Sequence, residues 1–169
     1  LGTVNKLFLT HLHSDHTVGI ADLWLTGWLA TGFGRRSSAF QVWGPAGTAG
    51  MMDGLRAAYD WDIKIRRKEN NHTDSGIAVK AYTVTEGVVY EQDGVTITAF
   101  RVDHSDLIDS ALGYRLDYAG HSVLLSGDTR YSENLIKYAK GVDVLIHEVA
   151  LASEETIRTS PLARKILGY

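Results

Sequence analysis

There is no cysteine among the 169 residues. That removes disulfides, thiolate metal sites and a cysteine nucleophile together, and it leaves the compartment undecided. Proline is nearly absent: Pro45 closes a short strand as Gly44-Pro45, and Pro161 breaks a helical stretch. No apolar run approaches the length of a membrane span, and no signal peptide is visible. Neither sign of charge dominates. With a net charge of −3, the whole molecule is no polyanion trap, although a local patch can still bind nucleic acid. No initiator Met is present. The chain opens at Leu1 beside a strand, which reads as a lost N-terminus, so a targeting segment stays open and the cytoplasm is only slightly favoured. Repeats and low-complexity segments are lacking as well.

What is there fits one globular domain, residues 1–169, with a real core: hydrophobic residues make up 44% and charged residues 22%. Its organising stretch is Thr10-His11-Leu12-His13-Ser14-Asp15-His16. An apolar run ends there and a run with helical periodicity begins. On an extended chain His11 and His13 point the same way. Asp15 and His16 lie past the turn, placed to reach a second centre beside the first. Imidazole and carboxylate together suit zinc, and also manganese or iron.

Taken in order, residues 4–10 read as a strand and 18–30 as a helix with Ala21, Trp24, Leu25, Trp28 and Leu29 on one stripe. The two tryptophans read as core. Residues 31–38 are a loop whose Gly-x-Gly lacks the context of a phosphate cradle; Arg35 and Arg36 in it read as solvated. A short strand at 39–43 precedes one helix over 48–68, with Met51, Met52, Leu55, Ala58, Tyr59 and Ile63 inward. The basic run Arg66-Arg67-Lys68 ends that helix, where cations suit the dipole; a nucleic-acid patch is the lesser reading. Residues 69–76 are loop-like, and His72 there reads as a surface histidine. Strands follow at 79–85 and 88–90. A turn at Gln92-Asp93-Gly94 leads to a strand at 95–102, with Val95, Ile97, Ala99 and Arg101 on one face. A second hairpin joins 111–118 to 122–125, with His121 in its turn. Ser132 caps a short helix ending at Gly141. Residues 142–146 read as a buried strand, and 153–167 as helical with a break at Pro161.

Four strands end in a chemical group: His11, His104, Asp128 and His147. In α/β folds, sites gather at the carboxyl ends of strands, so this regularity points to a site without reference to any family.

His11-x-His13-x-Asp15-His16 after an apolar strand, with Gly19 and a later Ser126-Gly127-Asp128-Thr129, resembles the signature of the metallo-β-lactamase superfamily. Asp103-His104 after an apolar strand, Ala111-Leu112-Gly113-Tyr114-Arg115 and His147-Glu148 after another are similar to its ribonuclease Z and arylsulfatase branch. The resemblance spans about residues 4–167. It implies an α/β chain in an αββα sandwich, here incomplete at the N- and C-terminal ends. It implies His11, His13 and His104 on a first metal, Asp15 and His16 on a second, and Asp128 bridging both. Two zinc ions, with manganese or iron as alternatives, would share a hydroxide whose parent water has a pKa near 7. Counting Asp15, Asp128 and hydroxide against two divalent ions leaves the centre positive, which favours an anionic ester. His147 is then the candidate for contacting the anionic group or protonating the leaving oxygen, and Asp15 is a candidate proton acceptor. Glu148 either orients His147 or is a strand-end carboxylate.

Two departures from the branch shape the expected substrate. Residues 105–127 leave no room for the long arm of tRNA-processing members, and no histidine follows His147 to complete the second metal site. The reading is therefore a hydrolase of an aryl or alkyl sulfate, or of a phosphodiester, with a weaker second metal. A tRNA 3′-processing ribonuclease and a lactonase or β-lactamase are alternatives. So is a catalytically weak or inactive domain acting as an oligomeric or partner-binding module. The expected partners are a small anionic ester and further copies of the chain, with nucleic acid not favoured and no membrane.

Overall fold

The computed structural model describes residues 1–30, 32, 34–70 and 72–167. Thr31 and Phe33 of the expected loop at 31–38, Asn71 and the last two residues lie outside the described residues. The chain divides into two compact units, residues 1–84 and 85–169.

The first unit is built on three parallel strands in the order β1 (Lys6–Phe8), β2 (Phe40–Gly44) and β3 (Val79–Thr83). Parallel neighbours cannot be joined by a tight turn. The crossovers are α1 (Ser14–Thr17) with α2 (Ile20–Trp28), and then α3 (Thr48–Ala58), α4 (Asp60–Asn70) and α5 (Asp74–Ile77). The central strand β2 is buried along most of its length, as expected of a strand paired on both sides. Phe40 and Val42 pack with Leu9, Trp24, Trp28, Met52, Ile63 and Ile77. Both tryptophans belong to this core, and their indole N–H groups donate to the Ile77 carbonyl at 3.1 Å and the Thr73 carbonyl at 3.0 Å. Register partners Phe8, Trp43 and Tyr82 stack across the three strands, with ring centroids 4.7 and 4.8 Å apart.

Four expectations for this unit need correction. The helix expected over 48–68 is two helices, because Tyr59 leaves helical geometry at φ −101° and ψ 10°. That break re-aims the apolar stripe: Met52 and Ile63 stay buried, whereas Ala58 and Tyr59 face solvent. Arg36 is not solvated but 2% exposed. Its guanidinium donates to the carbonyls of Trp24 and Gly76 and lies 4.9 Å from the Phe40 ring centroid. Burial without a carboxylate lowers its pKa to about 10. His72 is half-buried rather than on the surface: Nε2 accepts from the Ala30 N–H at 3.0 Å, and the ring meets Trp28 edge-on. In the basic run, Arg66 pairs with Asp62 and Arg67 with Asp74.

In the second unit, β4 (Gly87–Gln92), β5 (Val95–Val102), β6 (Ala111–Tyr118) and β7 (His121–Leu125) form an antiparallel meander. The last strand, β8 (Val144–Ile146), lies parallel to β7 after the crossover α6 (Glu133–Ala139). Both hairpin turns carry two successive positive φ angles, at Asp93-Gly94 and Ala119-Gly120, the twist that two-residue hairpins require. Ser132 Oγ accepts from the Leu135 N–H and caps α6 as expected. Arg115 donates to the carbonyls of Tyr138 and Lys140 at the other end of α6, while Asp117 holds its charge. Along β5 Val95, Ile97, Ala99 and Arg101 share a face as expected; Phe100 on the opposite face is buried too, because α6 covers it through Leu135 and Tyr138. One expectation fails here: β8 is not buried, with Val144, Leu145 and Ile146 49%, 47% and 54% exposed, since β8 ends the sheet with β7 on one side. Beyond it lie α7 (Glu154–Thr159), capped by Ser153, and α8 (Pro161–Leu167), with the expected break at Pro161, which opens the second helix. Among the described residues, no helix is long and apolar enough to cross a membrane.

Candidate metal centre

The first unit contributes the tetrad. Past β1, the Leu9 N–H still donates to the Trp43 carbonyl at 2.8 Å, and the chain bends at Thr10 just before the first histidine. His11 is fully buried. Its Nε2 lies 3.0 Å from Nδ1 of His13, as their common side of an extended chain implies. His13 is the N-cap of α1, and that single turn carries Asp15 and His16. The turn folds His16 back, with its ring centroid 4.3 Å from that of His11, and an Asp15 oxygen lies 3.5 Å from His16 Nε2. Thr10 Oγ1 meets the other nitrogen of His11 at 3.1 Å.

These donors fit a transition-metal site. Zinc–imidazole bonds of about 2.0–2.1 Å in a tetrahedron put neighbouring nitrogens roughly 3.3 Å apart, close to the His11–His13 separation. An outer partner on the remaining ring nitrogen, here Thr10, is the usual way a ligating histidine is oriented.

The second unit contributes single groups just past three strand ends: His104 after β5, Asp128 after β7 and His147 after β8. Short hydrogen bonds lace these ends together. The Ser126 N–H donates to the Ile146 carbonyl at 3.0 Å, and the Glu148 N–H donates to Ser126 Oγ at 3.1 Å. The Arg130 N–H donates to the Asp103 carbonyl at 2.7 Å, and its guanidinium donates to Asp103 and Asp106, both at 2.8 Å. Asp106 first, then Asp103, raise the Arg130 pKa and keep it charged. His147 Nδ1 lies 2.6 Å from the Glu148 carbonyl, which can only accept, so Nδ1 is the donor there. The Glu148 carboxylate accepts from the Thr129 N–H. Of the two roles open to Glu148, its side chain therefore serves the strand ends; the contact with His147 is made by its backbone. A cavity of about 620 Å³ opens beside this network, lined by Thr129, Arg130, Tyr131, His147 and Glu148 among others. Sequence reasoning missed Thr129 and Arg130. The signal was present, since a hydroxyl and a guanidinium directly follow the strand-end Asp128.

The profile of the Beta-lactamase superfamily domain matches residues 1–164, across both units. The ribonuclease Z of Mycobacterium marinum (strain ATCC BAA-535 / M) is 33% identical over 146 residues, which are 86% of this chain and 52% of that protein. That of Mycobacterium sp. (strain KMS) is 34% identical over 161 residues, 92% of this chain and 55% of that protein. The chain thus spans about half the length of these relatives. Among solved structures, human tRNase Z, short form, shares the fold at a TM-score of 0.66 and 17% identity, over 99% of this chain and 70% of that one. The metallo-beta-lactamase fold protein YhfI from Bacillus subtilis does so at 0.58 and 19%, over 89% and 52%. With its His-x-His-x-Asp-His tetrad past the first strand and its profile match over nearly the full length, the chain belongs to the metallo-β-lactamase superfamily, on the ribonuclease Z branch.

Proposed function

We propose that this chain carries the metal-dependent hydrolytic centre of a phosphodiesterase, with the phosphodiester near a tRNA 3′ end as its first candidate substrate. The observation that carries the reading is the His11–His13 pair, facing nitrogens 3.0 Å apart in a chain whose curated relatives are ribonucleases Z. The proposed ligands are His11, His13 and His104 for one ion, Asp15 and His16 for another, with Asp128 shared. Zinc is the first candidate metal. When bound, such ions supply Lewis-acid polarisation and an acidified water. The residues of the chain then have separate tasks. Thr10 orients His11 through Nδ1. Asp15 accepts a proton beside the ions. His147, with Nδ1 engaged by the Glu148 carbonyl, offers Nε2 to the leaving oxygen and donates from it only when the ring is doubly protonated.

The sulfate-ester preference drawn from the sequence gains nothing from the relatives, whose names point to RNA, and a phosphodiester takes its place. One observation favours a small phosphodiester as a second reading. The stretch between His104 and Asp128 is a loop and the β6–β7 hairpin, with no further element among the described residues.

The test is turnover by the metal-loaded protein of three substrates: a tRNA precursor with a 3′ trailer, bis-nitrophenyl phosphate and nitrophenyl sulfate. Chelator-sensitive cleavage of the precursor is the expected result. Cleavage of the small diester alone selects the second reading, and turnover of the sulfate alone overturns both.

A further inference from the structure

Thr129 sits at the crossing point of the hydrogen bonds that lace the strand ends of the second unit. It is buried. Its hydroxyl accepts from the Asp103 N–H at 3.1 Å and donates to the Arg130 carbonyl at 2.8 Å. Its own N–H donates to the Glu148 carboxylate. Asp103 precedes His104, Glu148 follows His147, and Thr129 follows Asp128. Each candidate functional side chain of this unit is therefore the direct neighbour of Thr129 or of one of its hydrogen-bond partners. Past β5, β7 and β8, backbone bonds from Arg130 to Asp103 and from Ser126 to Ile146 tie the ends in part. Thr129 adds a hydroxyl bond toward β5 and an N–H bond toward β8.

We propose that Thr129 is a positioning residue, which sets the metal affinity of the centre by fixing the ends that carry His104, Asp128 and His147. This rests on the ligand assignment made above. The hydroxyl carries the bond toward β5, where among the described residues no other group accepts from the Asp103 N–H, and the Glu148 carboxylate carries the bond toward β8. Outer groups that orient ligands typically change metal affinity by about 10–100-fold when removed.

The test compares Thr129→Val, which keeps the shape and loses the hydroxyl, with Thr129→Ser, which keeps the hydroxyl. Zinc affinity is read by calorimetric titration of the metal-stripped protein, ligand geometry by the visible spectrum of the cobalt(II)-loaded protein, and folding by circular dichroism of the stripped protein. Thr129→Val should bind zinc about 10–100-fold more weakly and show an altered cobalt spectrum; Thr129→Ser should restore both. A loop-stabilising role alone would lower the melting temperature and leave affinity and spectrum unchanged. Wild-type affinity in Thr129→Val, or equal loss in Thr129→Ser, overturns the inference and leaves the ligand assignment standing. An unaltered protein that binds no zinc overturns the assignment and the inference together. Should Thr129→Val not fold, Glu148→Ala removes the other bond while sparing the hydroxyl; a weakened site there supports the inference, and an unchanged one overturns it.

Discussion

A Cβ added to Gly113 would stand 2.4 Å from the ring of Phe100, its register partner on the neighbouring strand. The ring cannot swing aside freely, because it is buried against Leu124 and Leu135 and stacks on Tyr138 at 4.8 Å. Gly113→Ala should therefore destabilise the protein by about 1–3 kcal/mol, the range for overpacking a filled core. Urea unfolding checks this; an unchanged midpoint would show that the ring finds another place.

The proposed ligand set makes a direct prediction for His11, His13 and His104. Replacing any one by Ala should release metal and abolish hydrolysis together, since each supplies one of the nitrogens assigned to the first ion. Metal content by mass spectrometry is the measurement. Full metal retention in His104→Ala would remove that residue from the set.

His147→Ala should behave in the opposite way. Metal content should stay at the level of the unaltered protein while the chemical step slows by about 10²–10⁴-fold, the usual worth of a positioned acid. Single-turnover kinetics separates that step from product release. If metal is lost instead, His147 is a ligand and its assigned role is wrong.

The tetrad and the four strand ends were legible in the sequence because metal donors have few residue types and the period of a strand fixes which of them share a side. The tryptophan stripe was legible for the same reason, at helical period. Arg36 and His72 were not legible: their polarity points outward, and only tertiary contacts with the carbonyls of Trp24 and Gly76 and the Ala30 amide make burial acceptable. The exposure of β8 was hidden as well, because Val-Leu-Ile reads the same in a central strand and at a sheet edge. The break at Tyr59 falls inside an apolar stripe with neither Gly nor Pro to mark it.

Arg36 carries a consequence for stability. Its guanidinium donates to carbonyls in the α2 region and to that of Gly76, with no carboxylate partner among the described residues. Arg36→Leu should leave buried carbonyls unpaired and cost about 1–3 kcal/mol for each one not rescued by water. Arg36→Lys should recover little, since a single ammonium cannot reach carbonyls spread over a planar fork. Thermal unfolding of the two variants measures the difference; full recovery with Lys would mean that charge matters there and shape does not.

Asp143 gives the acid limb of stability a specific owner. Its carboxylate accepts from the Ser122 N–H at 2.6 Å and from the Ser122 hydroxyl at 3.2 Å, with His121 3.8 Å away. The Ser122 backbone bond first, then its hydroxyl bond, hold the Asp143 pKa below the ordinary carboxylate value, with a smaller contribution from His121. The folded state therefore prefers the charged form more strongly than the unfolded chain does. Between the two pKa values the unfolded chain binds more protons, so stability rises with pH across that window. The contribution is fully present above the unfolded value of about 3.9 and is lost as pH falls through the lower folded value. Asp143→Asn should remove this dependence: the gap in urea midpoint between wild type and variant should be widest at about pH 5 and shrink steadily below about pH 4. Two curves that stay parallel down the acid limb would place the acid sensitivity elsewhere, and would mean that the contact between Ser122 of β7 and the start of β8 is held by its backbone bond alone.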